Sequence, residues 1–466
     1  MEEFLFKLLC IALLLILNVE SACVSRTRKA WDNYSAADKK LFIKAITTAM
    51  DRGFYSDFLA LHADQMTNQQ AHNTCIFLFW HRIFLVGFEN MLQSLAPEYA
   101  CITLPYYDYI QHNLDYISQR CTDIQSCSSI LRDLGGSSST LPAAPLQTIR
   151  SYSFPGFRCI ASPPLNHFCD GTDCMGCVPR GQWTSTYFNP DLNFNRVKQS
   201  IFSGTSMAMV TAAIELSPHD SMHDTLSGAM ANLFVSPADP VFYGHHATID
   251  VLLTIYHKCL VDDIGQEAAV VDDQRVFEGC TVGSRAITAA SRVFMRSSRL
   301  KNIQKFFDGL PMQYGGLIDA TKLGNSSYTY ELSGLLGTLF TDCKAAGTRQ
   351  RSSRKLTSAY GHVVHPLSSD DGETFMSWRR AIFDAAMEQK IPNVEDEVEK
   401  IMVMLYEFCL PGKVTDYSDA FKKQWGIARV RPSKALLDAI QDGTNPIRIS
   451  NWTSINEKYY QCPGNK

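Results

Sequence analysis

Six of the twelve histidines fall into two groups of three in similar surroundings. His62, His72 and His81 lie in the first quarter of the chain, the last of them inside Phe77-Leu-Phe-Trp-His-Arg-Ile-Phe-Leu85. His219 and His223 bracket Asp220, Ser221 and Met222, and His246 follows in Asp239-Pro-Val-Phe-Tyr-Gly-His-His-Ala-Thr-Ile-Asp250. Imidazole suits copper, zinc, iron or nickel, whereas thiolate favours zinc or a cluster and carboxylate favours magnesium or calcium. Two triads of neutral nitrogen without sulfur therefore read as a pair of copper ions. Three imidazoles serve both Cu(I) and Cu(II), and leave room for an exogenous ligand between the metals.

Two blander readings compete. His-x3-His also marks zinc proteases, but there a Glu follows the first histidine as general base; here that position is Asp220. A lone buried histidine is usually structural, and His112, His167, His257, His362 and His365 are read that way. It is the conjunction of both clusters that argues for metal. Cys159, Cys169, Cys174 and Cys177 could mimic a zinc knuckle, but paired disulfides suit an exported chain better.

The elements that must position these histidines are mostly helical. A spacing of four puts His219 and His223 on one helix face. His72 and His81, nine apart, would point to opposite sides of a single helix, so the polar stretch from Thr67 to Thr74 is expected to be a loop that folds His72 back. Ser35-Ala-Ala-Asp38 caps a helix through Leu41, Ala45, Ile46 and Met50. Further helices are expected from Phe54 to about Ala63, Trp80 to Ala96 (stopped by Pro97), Thr205 to Leu216 and Gly244 to Cys259. Residues 121–200, rich in Cys, Ser, Gly and Pro, read as a disulfide-tied loop region.

The 466-residue chain is long enough for two or three domains, and its formal charge of -4 implies no charged partner. No basic stripe points to nucleic acid, and no glycine-rich phosphate loop is present. Leu8 to Leu17 is an apolar run of ten, followed by small residues near Ala22. It is too short for a membrane span, which needs about 20 residues, and reads as a cleaved signal over residues 1–22. Fifteen cysteines become fourteen without Cys10, an even number fitting oxidised pairs, and Asn33, Asn325 and Asn451 begin glycosylation sequons. A secreted, extracellular protein without a stable membrane span is expected. Residues 23–345 read as the core and 346–355 as a basic linker carrying Arg349, Arg351, Arg354 and Lys355. Residues 356–466 read as a helical C-terminal extension, with helices from Glu373 to Gln389 and Val394 to Phe408. If cysteines pair within units, the break falls after Cys343; a bridge across the linker is the alternative.

Residues from about 55 to 331 resemble the tyrosinase, catechol oxidase and haemocyanin family of type 3 copper proteins. Phe79-Trp-His-Arg-x-Phe-Leu85 is similar to its first copper signature, and Asp239-Pro-Val-Phe-Tyr-Gly-His-His-Ala-x-Ile-Asp250 to its second. Leu317-Ile-Asp-Ala-Thr-Lys-Leu-Gly324 with Tyr328 and Tyr330 resembles the segment that closes the family's core. The resemblance implies a mainly α fold, in which a four-helix bundle holds a dicopper centre under long disulfide-tied loops. It makes His62, His72 and His81 ligands of the first copper and His219, His223 and His246 ligands of the second, with His245 a neighbour. Asp250 would either orient a ligating imidazole or simply stabilise its helix, and Phe242 would pack beside the metals or fill core.

The implied activity is O2-dependent oxidation of small o-diphenols to o-quinones, with ortho-hydroxylation of monophenols, tyrosyl side chains among them. The alternatives are a catechol oxidase without monophenolase activity and a haemocyanin-like oxygen-binding protein; a third, a matrix protein with a degenerate site, lacks support because all six histidines are present. Two departures bear on this. Where bacterial members carry Asn after the first ligand of the second site, this chain has Asp220, a base or a local backbone cap. The family's upstream Glu position is Val210, with Glu215 the nearest acid. No thioether cysteine is expected, since positions 55 and 70 are Tyr55 and Gln70 and Cys75 is off register. The extension implies either a cover for the copper mouth, released by cutting the basic linker, or a stabilising domain.

Overall fold

The computed structural model describes residue 23 and residues 26–138, 148–264, 273–343, 361–365, 367 and 369–462. The expected signal and basic linker lie outside these residues. The fold is mainly α-helical. Its centre is a four-helix bundle: Phe54–Ala63, Phe77–Ser94, a composite helix from Met207 to Leu226, and Val241–Ile264. The Phe77–Ser94 and Val241–Ile264 helices form the main packing pair, and almost every residue of the first two turns of each is buried.

Local chemistry explains most boundaries. Ser35 accepts from the Asp38 amide and starts the Ala36–Asp51 helix as expected. Asp64 accepts from the Met66 and Thr67 amides, and this cap starts a helix, Gln65–Ala71, where a loop was expected. Its polar sequence has no apolar period, yet Thr67, Asn68 and Ala71 are buried. The Phe77–Ser94 helix starts one turn earlier than its pattern suggested, and the expected helix after Thr205 does not stop at Leu216. It passes through a π-helical turn, Glu215–His219, and continues as Asp220–Leu226. Pro218, which lacks an amide proton, sits inside that widened turn. At the Val241–Ile264 helix, Asp239 accepts from the Val241 amide while both its oxygens take the buried Arg180 guanidinium at 2.6 Å. That pair ties the disulfide-rich loops to the bundle.

Thr27–Arg28, Thr329–Leu332 and Val363–Val364 form a three-stranded parallel sheet beside the bundle. All fourteen described cysteines pair: Cys23–Cys101, Cys75–Cys280, Cys121–Cys127, Cys159–Cys177, Cys169–Cys174, Cys259–Cys343 and Cys409–Cys462. No bridge joins residues up to Cys343 to those beyond 361, and the four loop cysteines form disulfides rather than a knuckle. The C-terminal residues fold as the helices Ser369–Glu388, Val394–Phe408, Asp419–Trp425, Pro432–Gln441 and Trp452–Tyr460, packed on the bundle.

Candidate metal centre

The bundle brings the six histidines together. His62 projects from Phe54–Ala63, His81 from Phe77–Ser94, His219 and His223 from the composite helix, and His246 from Val241–Ile264. His72 caps Gln65–Ala71 in an extended conformation (φ -128°), so a short helix, not a loop, delivers it. Ring centroids of the first triad are 5.0–5.9 Å apart and those of the second 4.5–5.4 Å. The triads face each other, with the His81 and His246 rings stacked at 4.3 Å. Phe242 lies between them, 4.0 Å from the His246 ring and 5.2 Å from that of His62.

Hydrogen bonds set the chemistry of these rings. Nδ1 of His62 donates to the Phe234 carbonyl (3.0 Å), that of His72 to Asn68 (3.3 Å), that of His81 to Phe77 (2.9 Å) and that of His223 to Met230 (2.6 Å). A carbonyl only accepts, so Nδ1 carries the proton and Nε2 keeps its lone pair. Nε2 of His62, His72, His81 and His219 is buried without a partner, and those of His223 and His246 face each other at 3.3 Å. Each orphaned nitrogen costs about 1–3 kcal/mol in a metal-free protein. Burial pushes every one of these imidazoles down, His62 to about 4, and for the other five the neighbouring rings push further, so all are neutral at physiological pH. Neutral, pre-aimed, unsatisfied nitrogen donors in two facing groups fit two copper ions.

Asp250 touches no imidazole. Its carboxylate takes Arg82 Nε at 2.6 Å and accepts from Tyr330 (2.6 Å) and Tyr328, with Arg28 at 3.5 Å. Burial alone would raise its pKa, but Arg82 and Arg28 hold it below the usual carboxylate range. The carboxylate that does reach an imidazole is Asp220, whose Oδ1 lies 2.9 Å from His219 Nδ1. Burial, with Glu215 and Asp224 close by, pushes Asp220 up. His245, expected only as a neighbour, is grouped with the second triad, its donor nitrogen within 4.8 Å of the other three.

Trp425, which no sequence pattern singled out, completes the surroundings. Its ring lies 5.8 Å from His72, 5.6 Å from His219 and 4.8 Å from His223. Nε1 donates to the Ala231 carbonyl at 2.7 Å, and Phe421 stacks behind it at 4.9 Å. Beside it opens a cleft of about 460 Å³ lined by Asn73, Thr74, Glu215, Asp220 and residues 426–429. Glu215 accepts from the Asn73 amide at 2.7 Å, and Asn73 donates to the Trp425 carbonyl at 3.1 Å.

Residues 52–258, which span both histidine groups, match the family described as the common central domain of tyrosinase. Tyrosinase P of Aspergillus terreus is 24% identical over 272 residues, covering 49% of this chain and 74% of its own length. The tyrosinase of Streptomyces glaucescens is 26% identical over 238 residues, covering 48% and 80%. Among solved structures, a polyphenol oxidase from Thermothelomyces thermophila aligns with a TM-score of 0.44 at 18% identity, over 66% of this chain and 89% of its own.

Proposed function

The chain belongs to the tyrosinase family of type 3 copper proteins, and from that premise we propose that it is a secreted phenol oxidase. It would use O2 to oxidise small o-diphenols to o-quinones, two diphenols per O2 with two waters formed, and would also ortho-hydroxylate monophenols. His62, His72 and His81 would hold one copper, and His219, His223 and His246 the other. The observation that carries this reading is two facing triads of buried imidazoles, in which Nε2 of His62, His72, His81 and His219 has no partner. Bound there, the copper pair would supply the redox chemistry with O2.

The residues of the chain do the rest. Backbone carbonyls at Phe234, Asn68, Phe77 and Met230 fix the imidazole planes, so little reorganisation accompanies metal binding. Phe77, Phe84, Trp80 and Phe242 are fully buried around the triads and exclude water. Asp220 holds His219 by Nδ1 and, with Glu215, lines the cleft by which a phenol would arrive; this pair is the candidate acceptor for the phenolic proton. In the uncut chain Trp425 occupies the space above His72, His219 and His223, so the phenol would be excluded until the C-terminal helices move. Seven disulfides support an extracellular site, and among the described residues no helix is long and apolar enough to cross a membrane.

The test is oxygen uptake by the copper-loaded protein with an o-diphenol and the matching monophenol, before and after detachment of residues 361–466. Uptake with both, rising on detachment, is expected. Uptake with the diphenol alone reduces the function to a catechol oxidase. No uptake in either state at full copper occupancy overturns the enzymatic reading in favour of an oxygen carrier.

A further inference from the structure

His245 is left without a role by the two triads. Its ring is fully buried, and apart from a loose contact with the His219 backbone neither nitrogen has a hydrogen-bond partner. Leaving such polar atoms unsatisfied costs about 1–3 kcal/mol each, a penalty that a Phe or Leu filling the same space would avoid. The ring lies parallel to His219 at 5.4 Å (18°), 4.9 Å from His223 and 5.2 Å from His246. Its donor nitrogen is within 4.8 Å of those of all three, so the second group has four donors where the first has three.

Adjacent helical residues point about 100° apart and seldom share a ligand. Here both rings lie within 5.4 Å of those of His219 and His223 on the composite helix, and the helix carrying them is also drawn tightly against the segment at Tyr107. Tyr107 donates its amide to the Gly244 carbonyl at 3.0 Å, and Thr248 Oγ1 donates to the Tyr107 carbonyl at 2.6 Å. A Cβ on Gly244 would stand 2.8 Å from Ile130 Cδ1, so glycine permits this approach.

We propose that His245 is a fourth donor at the second copper site: with His219 and His223 it makes an alternative triad that keeps the ion when His246 is withdrawn. Metal–nitrogen bonds of about 2 Å put neighbouring donors roughly 3–4 Å apart, a spacing close to that of this group. The inference rests on the dicopper reading and deepens it. It makes the second site the one that holds copper through a ligand exchange, as during loading.

The test measures copper per chain by elemental analysis, and its rate of loss to a chelator, in the full-length protein and in H246Q, H245Q and the double variant. Two coppers are expected in the parent and in H246Q, where the second leaves about tenfold faster. One copper is expected in the double variant, and in H245Q two, the second leaving several-fold faster than in the parent. H246Q holding one copper, like the double variant, overturns the proposal; the first-site copper and an unchanged circular dichroism spectrum report that it is folded. Should H246Q not fold, H245Q decides: a second copper lost at the parent rate also overturns it. A parent holding no copper defeats the dicopper reading itself, which separates the two failures.

Discussion

At the residue scale, Asp220 carries two duties that its position makes separable. One oxygen sits against His219 Nδ1 and would orient it as a ligand; the carboxyl also lines the cleft proposed to admit the phenol. Losing an outer partner of a ligating histidine typically lowers metal affinity by about 10- to 100-fold. Asp220→Ala should therefore weaken the second copper by about that factor and depress both activities. Asp220→Asn keeps an oxygen for Nδ1 but no carboxylate, so it should retain two coppers while monophenol turnover falls at least tenfold more than diphenol turnover. Copper content and the two rates on the same preparation check this; equal losses in both rates at full copper would remove the proton-accepting role. Both histidine groups were legible in the sequence: His219 and His223 by a spacing that puts them on one helix face, the others by the residues around them. The atoms that orient them were not: the carbonyls of Phe234 and Met230 come from irregular segments and carry no side-chain signal. Asp220 was noticed for its place after His219, while the orienting duty was offered to Asp250, which lies at helical spacing from His246 but whose carboxylate is taken by Arg82, Tyr328 and Tyr330.

At the scale of elements, Asp250 is the joint that closes the bundle. It joins the Phe77–Ser94 helix through Arg82, the Thr27–Arg28 strand through Arg28, and the Thr329–Leu332 strand and its approach through Tyr330 and Tyr328. Arg82 in turn donates to the Leu317 and Ile318 carbonyls at 2.8 and 2.6 Å and to Thr254 at 3.1 Å. Every side chain in this knot is buried, so removing the one carboxylate that faces Arg82 leaves a charge with no counterion. Breaking a buried pair in this way costs about 3–5 kcal/mol. Asp250→Ala should lower the urea midpoint of the apo-protein accordingly, whereas a loss below about 1 kcal/mol would show the knot to be incidental. Helices with an apolar period and a serine or proline boundary were readable in advance, as at Ala36–Asp51 and Val394–Phe408. Gln65–Ala71 was not, because its cap lies at Asp64 and its buried face is Thr67, Asn68 and Ala71. The π-turn at Glu215–His219 was also beyond reach, since a widened turn leaves the four-residue spacing of His219 and His223 intact.

At the scale of the whole molecule, the C-terminal helices are held by far more than the chain between 343 and 361. Val363–Val364 extends the sheet beside Glu331–Leu332, and His362 Nδ1 accepts from the Tyr330 amide at 2.8 Å. Lys198 pairs with Glu395 at 2.9 Å, Arg431 with Asp224, and Ser433 bonds to the buried Asp191. Tyr406 donates to Asn113 and Tyr116 to the Pro411 carbonyl, while Trp425 seals against the histidines. None of these contacts depends on an intact linker, and no disulfide crosses it, so cutting it removes only the tether. The tether's contribution is an effective concentration in the millimolar range, which a buried interface of this kind does not need to stay closed. Nicking within 346–355 should leave both pieces co-eluting on size exclusion, with diphenol uptake raised less than twofold. Trp425→Ala attacks the seal itself: it removes the ring over His72, His219 and His223, with its bond to Ala231 and its stack on Phe421, but keeps the ion pairs, sheet pairing and tyrosine bonds named above. Uptake in the uncut chain should then rise at least tenfold with copper content unchanged. Separation of the pieces on nicking alone would make the linker the latch, and a Trp425→Ala chain as slow as the parent would mean that the phenol is excluded elsewhere than at this ring.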